Sequence, residues 1–242
     1  MYAVDTARME TLRDKVIVVT GAGDGMGKQM AICFAEEGAH VALVGRTEGK
    51  LAAALAAMDS PASRTYVCDL RDARDRAKTV ERIVEGFGGI DVLINNAGVW
   101  HLANPLDELE EEAIDDVMEV NLTGLMKFTR LVLPHLRKRP EAAIINIVSK
   151  QALRVTPGRI AYAASKWGLR GFTDALKEDL KDTAIRVSGV YPAGTRTHLF
   201  AAAGEKRPME AYTEPEDIAE AVHFILTRKG NMWVSDMAID HP

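Results

Sequence analysis

The sequence predicts an α/β protein built as a single doubly wound parallel sheet of about seven strands, with helices on both faces. Short apolar runs rich in Val and Ile alternate along the chain with segments that have the apolar spacing of amphipathic helices. Strands that alternate with helices in this way pair in parallel. No linker-like or repetitive stretch divides the 242 residues. We therefore expect one domain over residues 1–242, of which residues 1–14 form an N-terminal extension.

The first unit of the predicted sheet has the clearest pattern. Residues 15–20 are mostly Val and Ile, which is typical of a strand buried on both faces. An apolar helical pattern begins near Met26 and ends at Gly38, a suitable C-cap. Glycines between strand and helix let the backbone turn tightly and approach a pyrophosphate, whose charge rests at the helix N-terminus. The glycines of this turn are Gly21, Gly23, Gly25 and Gly27.

The remaining elements continue the alternation. Further strands are predicted at residues 41–44, 66–68, 90–94, 143–148, 185–190 and 232–234. Helices are predicted at residues 50–58, 73–85, 112–137 and 162–180. Residues Thr213 to Glu216 resemble a capping box, which begins one more helix.

Several residues fall at or just beyond the predicted strand ends. Ligands of doubly wound sheets bind at the carboxyl ends of the strands, in the crevice where strand order reverses. We therefore expect one crevice to collect these residues, although no single motif requires it. They are Gly21, Asp69, Asn95, Ser149 and Pro192.

A hydroxyl, a phenol and an ammonium lie in the segment from Ser149 to Lys166. Tyr162 and Lys166 are four residues apart, which places them on one face of the predicted helix. A free tyrosine has a pKa of roughly 10. A neighbouring ammonium lowers that pKa by roughly 1 to 3 units, so Tyr162 is expected to exchange a proton near neutral pH. Alone, this spacing also occurs in ordinary amphipathic helices, and the surrounding motifs favour the chemical interpretation.

Taken in order, the motifs resemble those of the standard-length short-chain dehydrogenase/reductase family over residues 20–197. The resemblance implies a Rossmann-like fold and hydride transfer between a nicotinamide and a substrate carbon. One departure is Ala193, where the family usually has Gly directly after the proline. The matching segments are Thr20-Gly21-x-x-x-Gly25-x-Gly27, Asp69-Leu70, Asn95-Asn96-Ala97-Gly98, Asn121, Ser149, Tyr162-x-x-x-Lys166 and Pro192-Ala193-Gly194-Thr195-Arg196-Thr197.

The resemblance implies catalytic roles for four residues. Tyr162 would be the general acid/base at the substrate oxygen, and Lys166 would lower its pKa and bind the nicotinamide ribose. Ser149 would hydrogen-bond the carbonyl oxygen as charge develops there. Asn121 would position a water that links Lys166 to solvent. Each residue also has a structural interpretation: Asn121 can cap or turn a helix, and Ser149 can form a turn.

The resemblance also implies a dinucleotide site, and the sequence favours NADP(H) over NAD(H). An NAD-selective site usually has an acidic residue at the end of the second strand, where this chain has Gly45 followed by Arg46. An Arg suits a 2′-phosphate through its charge and planar fork, although Asp24 and Glu48 argue for NAD. Because NADPH pools are kept reduced, reduction is the expected direction. The expected cofactor-binding residues are Gly21, Asp24, Gly25, Met26, Gly27, Arg46, Thr47, Asp69, Leu70, Asn96, Ala97, Gly98, Tyr162, Lys166, Pro192, Gly194, Thr195 and Thr197.

The substrate is less determined than the cofactor. The candidate pocket is partly apolar, which favours a small or medium carbonyl or alcohol, and a 3-oxoacyl thioester also suits the motifs. Arg154, Arg159 and Arg196 could meet an acidic group, although solvated surface arginines are more common. The expected substrate-binding residues are Trp100, Ser149, Gln151, Leu153, Tyr162 and Leu199.

Composition restricts the partners and the compartment. A net charge of −5 gives no reason to expect nucleic acid as a partner, and no stretch has the length of a membrane span. The spacing of Cys33 and Cys68 fits neither a zinc site nor a disulfide, and the six histidines lack metal-ligand spacing, so we expect no bound metal. The N-terminal residues lack the apolar core of a secretory signal. We therefore expect a cytoplasmic protein with reduced cysteines. The helices from Glu112 and Tyr162 carry excess apolar residues, which favours a homodimer or homotetramer.

Two other function classes remain open at this point. A non-catalytic dinucleotide-binding protein, such as a redox sensor, can use the same fold, but it tends to lose the catalytic Tyr or Lys. A methyltransferase explains the glycine-rich turn and leaves Ser149, Tyr162 and Lys166 without a role. The sequence leaves undecided the physiological substrate, its stereochemistry, the cofactor, the oligomeric state and the direction of the reaction.

Overall fold

A parallel sheet of seven strands forms the centre of the computed structural model, which describes residues 9, 11–58, 60–228 and 232–241. The strands are β1 Val16–Thr20, β2 His40–Gly45, β3 Arg64–Val67, β4 Val92–Asn95, β5 Ala142–Ile147, β6 Ile185–Pro192 and β7 Asp236–Ile239. Their order in the sheet is β3-β2-β1-β4-β5-β6-β7. Strand β1 pairs with β2 on one side and β4 on the other, so the order reverses there. The doubly wound α/β prediction is confirmed.

Helices cover both faces of the sheet. They are α1 Gly25–Glu36, α2 Glu48–Ala56, α3 Ala73–Phe87, α4 Glu111–Met118, α5 Gly124–Leu136, α6 Ile160–Leu180, α7 Leu199–Ala202 and α8 Pro215–Thr227. Buried side chains of α1, α2 and α8 form one core with the sheet. Those of α3, α5 and α6 form the other core. No helix in the described part of the chain is long and apolar enough to span a membrane.

The apolar character of the central strands follows from this two-sided burial. All five residues of β1 are buried. Ile17 and Val19 lie in the core beneath α1 and α8, whereas Val18 lies in the core beneath α3 and α5. A strand with helices on both faces buries side chains on both of its sides, which explains the continuous Val and Ile run in β1.

A buried polar network connects the centre of the sheet to two helices. The Asn95 amide in β4 donates hydrogen bonds to Asn146 in β5 and to Thr129 in α5, each of 2.8 Å. The Asn146 amide donates in turn to the Thr173 hydroxyl of α6, also at 2.8 Å. Buried polar groups require such partners, and here they fix the position of α6 against β5.

The helix expected over residues 112–137 is interrupted at residues 119–123 by one π-helical turn. Gly124 follows this turn, and a Cβ there would lie 2.9 Å from the Leu70 carbonyl oxygen. The close approach to the segment after β3 therefore requires glycine at this position. Single π turns are frequent at functional sites, and this one contains Asn121.

Two further expectations differ by a few residues. The expected strand at residues 232–234 is wrong, because Trp233 and Val234 contact β6 through side-chain hydrogen bonds and the backbone ladder begins at Asp236. The last helix begins with a capping box of Glu214 and Asp217, one position later than predicted, because Pro215 takes the first helical position.

The end of the N-terminal extension packs against the domain. Residues 1–8 and 10 of the extension lie outside the described residues. Within the rest, Met9 and Leu12 are buried in the core beneath α1. This end of the extension therefore belongs to the packed domain.

Candidate active site

The glycine-rich turn packs against the segment that follows β4. Gly21 has a φ of +68°, and a Cβ on it would lie 2.9 Å from the Ala97 Cα. A Cβ on Gly27 would lie 2.3 Å from the Gly21 carbonyl oxygen, so α1 begins directly against the turn. The Thr20 hydroxyl accepts hydrogen bonds from the backbone N–H groups of Asn96 and Ala97. These contacts make a narrow backbone cradle at the point where strand order reverses.

Asp24 has a structural role in this turn. Its carboxylate accepts a hydrogen bond from the Gly25 N–H and thereby caps α1. The same carboxylate pairs with the Lys50 ammonium at 2.8 Å and with the His198 ring at 3.0 Å. Partial burial raises the pKa of Asp24, but these hydrogen bonds outweigh burial and bring the pKa to about 2. Asp24 therefore connects the turn to the segment before α7.

A cavity at the ends of β1, β2 and β3 collects eight of the eighteen expected cofactor residues. Arg46 and Lys50 are the basic side chains among its lining residues. Asp69 also lines it, but hydrogen bonds from Arg71 hold this carboxylate and lower its pKa. The expected residues found there are Gly21, Asp24, Arg46, Thr47, Asp69, Leu70, Ala97 and Gly98.

An adjacent cleft continues from this cavity toward α6. Both Tyr162 and Lys166 line it, together with residues of the glycine-rich turn. The expected cofactor residues Gly25, Met26, Asn96 and Thr197 lie there as well. Gly27 is not among the residues that line either space, since its role is to let α1 approach the turn.

Asn121 connects the π turn to the segment after β4. Its side-chain oxygen accepts a hydrogen bond from the Val99 N–H at 2.7 Å, and its amide donates to the Val99 carbonyl at 3.0 Å. The amide also donates to the Ser165 hydroxyl of α6 at 3.3 Å. In this structure the side chain positions the walls of the cleft. The water relay to Lys166 stays a prediction.

The structure brings Tyr162 and Lys166 together in the interior. Tyr162 is 7% exposed and Lys166 is 4% exposed. The Lys166 ammonium donates a hydrogen bond of 3.0 Å to the Ile147 carbonyl at the end of β5 and lies 5.8 Å from the centre of the Tyr162 ring. Ser149 follows the same strand end, and its hydroxyl accepts a hydrogen bond from the Gln151 N–H.

Burial controls the proton affinities of this pair. Desolvation raises the pKa of Tyr162 to about 12, although the Ser149 side chain and the charge of Arg159 act in the opposite direction. Desolvation lowers the pKa of Lys166 to about 8. The expected lowering of the phenol pKa by Lys166 is therefore wrong for this structure. The ammonium lies against the ring and the Ile147 carbonyl, where it does not compensate for the loss of water.

A pocket of about 430 Å³ opens on the other side of Tyr162. Of the expected substrate residues, Trp100, Ser149, Gln151, Tyr162 and Leu199 line it. Six residues expected at the cofactor also line this pocket, namely Met26, Tyr162, Pro192, Gly194, Thr195 and Thr197.

Leu153 is the exception among the expected substrate residues. It does not line the pocket and is 39% exposed. The Gln151 side-chain amide donates a hydrogen bond to the Thr156 hydroxyl, and its oxygen accepts one from the Thr156 N–H. These two bonds close the loop between the two residues. Leu153 lies on this closed loop, which turns it toward solvent.

The segment after β6 forms one wall of this pocket. The sequence predicts that the loop from Thr197 to Tyr212 lines the pocket, and Phe200, Arg207 and Tyr212 of this loop do so. His241 was not expected there, because no motif marks it and only the tertiary fold brings it to Tyr162. Arg196 lies outside the pocket and pairs with Glu214 at 3.0 Å.

Fold and site together define a class of protein: a doubly wound α/β domain whose nucleotide-type cleft ends at a buried Tyr–Lys pair. No group of three or more His, Cys, Asp or Glu residues is placed to hold a metal ion in the described residues. The polar side chains that meet around the cleft and the pocket include those of Ser149, Tyr162 and Lys166.

Comparison with known proteins gives the family. A model of the short chain dehydrogenase family matches residues 15–208. An uncharacterized oxidoreductase of Staphylococcus aureus is 30% identical over 231 residues, which cover 96% of this chain and 99% of the relative. A 3-oxoacyl-(acyl-carrier-protein) reductase of Thermotoga maritima is 32% identical over 224 residues, covering 88% and 91%.

Solved structures agree with this result. The 3-ketoacyl-(acyl-carrier-protein) reductase of Brucella melitensis, complexed with NADH, superimposes with a TM-score of 0.89 at 30% identity, covering 95% of this chain and 98% of its own. A short chain dehydrogenase of Shigella flexneri, complexed with NADP, gives 0.87 at 26% identity, covering 96% and 98%. The chain belongs to the short chain dehydrogenase family, and it is an oxidoreductase that interconverts CH–OH and C=O groups.

The depressed pKa of Lys166 predicts a specific pH dependence of stability. Between its folded value of about 8 and its unfolded value of 10.5, Lys166 is deprotonated in the folded protein and protonated in the unfolded chain. The unfolded state then binds more protons, so the free energy of unfolding rises with pH in this window, by up to about 3 kcal/mol. We expect Lys166→Met to lack this rise in urea denaturation.

The difference between the wild type and the variant is the quantity to measure, because Cys33 and Cys68 have raised pKa values and titrate in the same range. Lys181→Met is a matched control, since the Lys181 side chain at the end of α6 is 63% exposed. Parallel pH profiles for the wild type and Lys166→Met would contradict the desolvation argument.

Proposed function

We propose that this protein uses NADPH to reduce a small or medium-sized carbonyl compound to an alcohol, with Tyr162 as proton donor. The observation that supports this most is the position of Tyr162, which lines both the cleft beside the glycine-rich turn and the pocket beyond it. A cofactor in the cleft and a substrate in the pocket would meet at its hydroxyl. The two solved relatives complexed with NADH and NADP support a nicotinamide dinucleotide.

The cleft fits such a cofactor. Its turn gives a backbone approach that a Cβ at Gly21 would obstruct, and the N-terminus of α1 follows directly. Asn96, Ala97 and Gly98 line the opposite wall. A bound nicotinamide supplies the hydride, and the residues of this chain orient the substrate and supply the proton.

The proton affinities of the site favour reduction. A phenol with a pKa of about 12 is protonated at neutral pH, so Tyr162 can donate its proton to the substrate oxygen as negative charge develops there. Ser149 hydrogen-bonds the same oxygen and stabilises that charge. The carbonyl carbon gains a hydride and the oxygen gains a proton, so the substrate is reduced by two electrons while NADPH becomes NADP⁺. Lys166 and the solvent restore the phenol proton.

The preference for NADPH is supported by the charges of the cavity at the ends of β1, β2 and β3, where the adenosine half of the cofactor would bind. Arg46 and Lys50 line it, and the residue at the end of β2 is Gly45 instead of an acidic residue. Asp24, which argued for NAD, is paired with Lys50 and His198. Its negative charge is thereby compensated, and Arg46 can meet a 2′-phosphate with its planar fork.

We also propose that the protein forms a homodimer or homotetramer through α5 and α6. Met126 on α5 is 39% exposed and Trp167 on α6 is 46% exposed, and packing against a second copy would remove these apolar side chains from water. A cytoplasmic location is supported by the two cysteines, which are free thiols whose pKa values burial raises to about 11.

We expect Tyr162→Phe to retain the binding of NADPH and to lose turnover by a factor of 10² or more, because positioned proton transfer contributes roughly 10²–10⁴-fold. Turnover is read from nicotinamide absorbance on a panel of ketones and aldehydes, and binding from NADPH fluorescence. Near-normal turnover would remove Tyr162 from the mechanism. A wild type that binds NADPH but reduces no member of the panel, and oxidises no alcohol, would favour a non-catalytic nucleotide-binding protein.

For the cofactor, we expect Arg46→Ala to raise the Kd of NADPH by roughly tenfold or more and to leave that of NADH nearly unchanged, since hydrogen bonds to charged groups contribute roughly 1.5–3 kcal/mol. Arg74→Ala is the control, because Arg74 is an exposed arginine of α3 and lines none of these cavities. Equal effects on both cofactors would refute the contact with the 2′-phosphate.

For the assembly, we expect sedimentation at micromolar concentration to give a dimer or tetramer, and Trp167→Glu to shift the protein toward the monomer, because a charge at an apolar interface is unpaired when buried. Lys181→Glu introduces the same side chain on an exposed part of α6 as a control. A wild type that sediments as a monomer would contradict this proposal.

A further inference from the structure

The pocket beside Tyr162 is rich in positive charge. Four basic side chains line it, namely Lys150, Arg154, Arg159 and Arg207. In the described part of the chain, Asp240 is the one carboxylate among its lining residues, and it pairs with Lys150. Arg207 pairs with Glu205. Arg154 and Arg159 also line the pocket, and among the described residues no carboxylate lies within salt-bridge distance of either.

Arg159 is the unpaired cation nearest to the catalytic groups. It immediately precedes α6 and is three residues before Tyr162. Its guanidinium lies over the Trp100 ring, 5.3 Å from the ring centre, and that ring lies 4.5 Å from the ring of Tyr162. One indole therefore contacts both the guanidinium and the phenol. The charge is close enough to act on Tyr162, whose pKa it lowers.

The surroundings of Arg159 leave its donors available. Its Nε is buried and has no hydrogen-bond partner in the described structure. Desolvation and the neighbouring Arg207 disfavour its charge, as the lowered pKa of Arg159 indicates, and Glu205 compensates only from a distance. A buried donor without an acceptor is unfavourable. An anionic ligand in the pocket would satisfy it.

The indole beneath Arg159 is held in a fixed position. The Trp100 Nε1 donates a hydrogen bond of 2.6 Å to Glu205. The Phe200 ring packs edge-on against Trp100 at 4.9 Å, and the Arg207 guanidinium lies over both rings. These five side chains, Trp100, Arg159, Phe200, Glu205 and Arg207, form what we call the Trp100 cluster. Its only unpaired ionic group is Arg159.

We propose that the substrate is an oxo acid, whose carboxylate binds the guanidinium of Arg159 while its carbonyl oxygen contacts Tyr162 and Ser149. This inference rests on the proposed reduction, and the product is then the corresponding hydroxy acid. The guanidinium fork matches a carboxylate in geometry and charge. The rings of Trp100 and Phe200 contact the short carbon skeleton between the two groups. The fork of Arg159 binds one carboxylate, and Arg154, the other unpaired arginine of the pocket, adds to its positive charge.

A neutral ketone fits the same pocket less well. It would leave the Arg159 donors without an acceptor, and its binding would not remove the repulsion from Arg207. Sites built to hydrogen-bond a substrate group discriminate strongly against analogues that lack the group, because the polar groups of the site are then left unpaired. We therefore expect the protein to prefer a charged oxo acid over an uncharged ketone that has the same carbon skeleton.

The test compares oxo acids with their own methyl esters, which keep the ketone and lose the charge. Acetoacetate, levulinate and a benzoylformate are each assayed with NADPH beside the ester, in the wild type and in Arg159→Gln. We expect the wild type to reduce at least one acid with a kcat/KM roughly tenfold above that of its ester. In Arg159→Gln the kcat/KM of that acid should fall roughly tenfold, mainly through KM, and that of the ester should stay within about twofold.

Two further variants distinguish binding from loss of structure. Arg159→Lys keeps the charge and should restore part of the preference for the acid. Arg74→Gln makes the same substitution at an exposed position of α3 and should change neither substrate. Wild-type turnover of esters at or above the rate of the acids, or an equal loss for acid and ester in Arg159→Gln, overturns this inference and leaves the proposed reduction intact. No turnover of any acid, ester or other carbonyl with either cofactor overturns the proposed reduction itself.

Discussion

The contact between the glycine-rich turn and the segment after β4 is the constraint on which the rest of the site depends. Two neighbouring parallel strands end there, and their chains continue in opposite directions across the sheet. The Thr20 hydroxyl accepts two backbone hydrogen bonds from this segment, and the Asn96 amide returns a hydrogen bond of 2.9 Å to the Thr20 carbonyl. Since backbone meets backbone, side chains cannot fill the crevice, and it stays available for a ligand.

Burial of Tyr162 and Lys166 lowers the stability of this region, and hydrogen bonds that anchor the surrounding helix compensate for that loss. Both groups are desolvated, which disfavours the charged form of each. The helix that carries them is held on one side by the bond from Asn146 to Thr173 and on the other by the bond from Asn121 to Ser165. An anchored helix can keep an ammonium in the interior, whereas a loosely packed helix would rotate it toward water.

Local patterns determined most of the fold and much of the candidate site. Six of the seven strands lie within a few residues of their predicted positions, and the signal is strongest for β1, whose Val and Ile run is buried on both faces. The seventh strand was misplaced because an apolar run at residues 232–234 says nothing about register against β6. The π turn at Asn121 was missed, since it depends on the packing of Gly124 against Leu70, which are far apart in sequence.

The direction of the Tyr162 pKa shift also could not be predicted from local sequence. A spacing of four residues correctly places an ammonium near a phenol, but it contains no information on how much water the fold removes from both. Here desolvation exceeds the effect of charge, so the phenol holds its proton more tightly than free tyrosine. Proximity can be read from a helix, whereas the dielectric environment is a property of the whole fold.

One short segment connects the glycine-rich turn with the pocket beside Tyr162. His198 pairs with Asp24 in the turn, and Glu205 accepts a hydrogen bond from Trp100 in the pocket. Between them lies α7, a helix of four residues. The same segment therefore contributes contacts to the turn at the start of α1 and to the indole beneath Arg159, which is why the two spaces meet at Tyr162 instead of forming separate cavities.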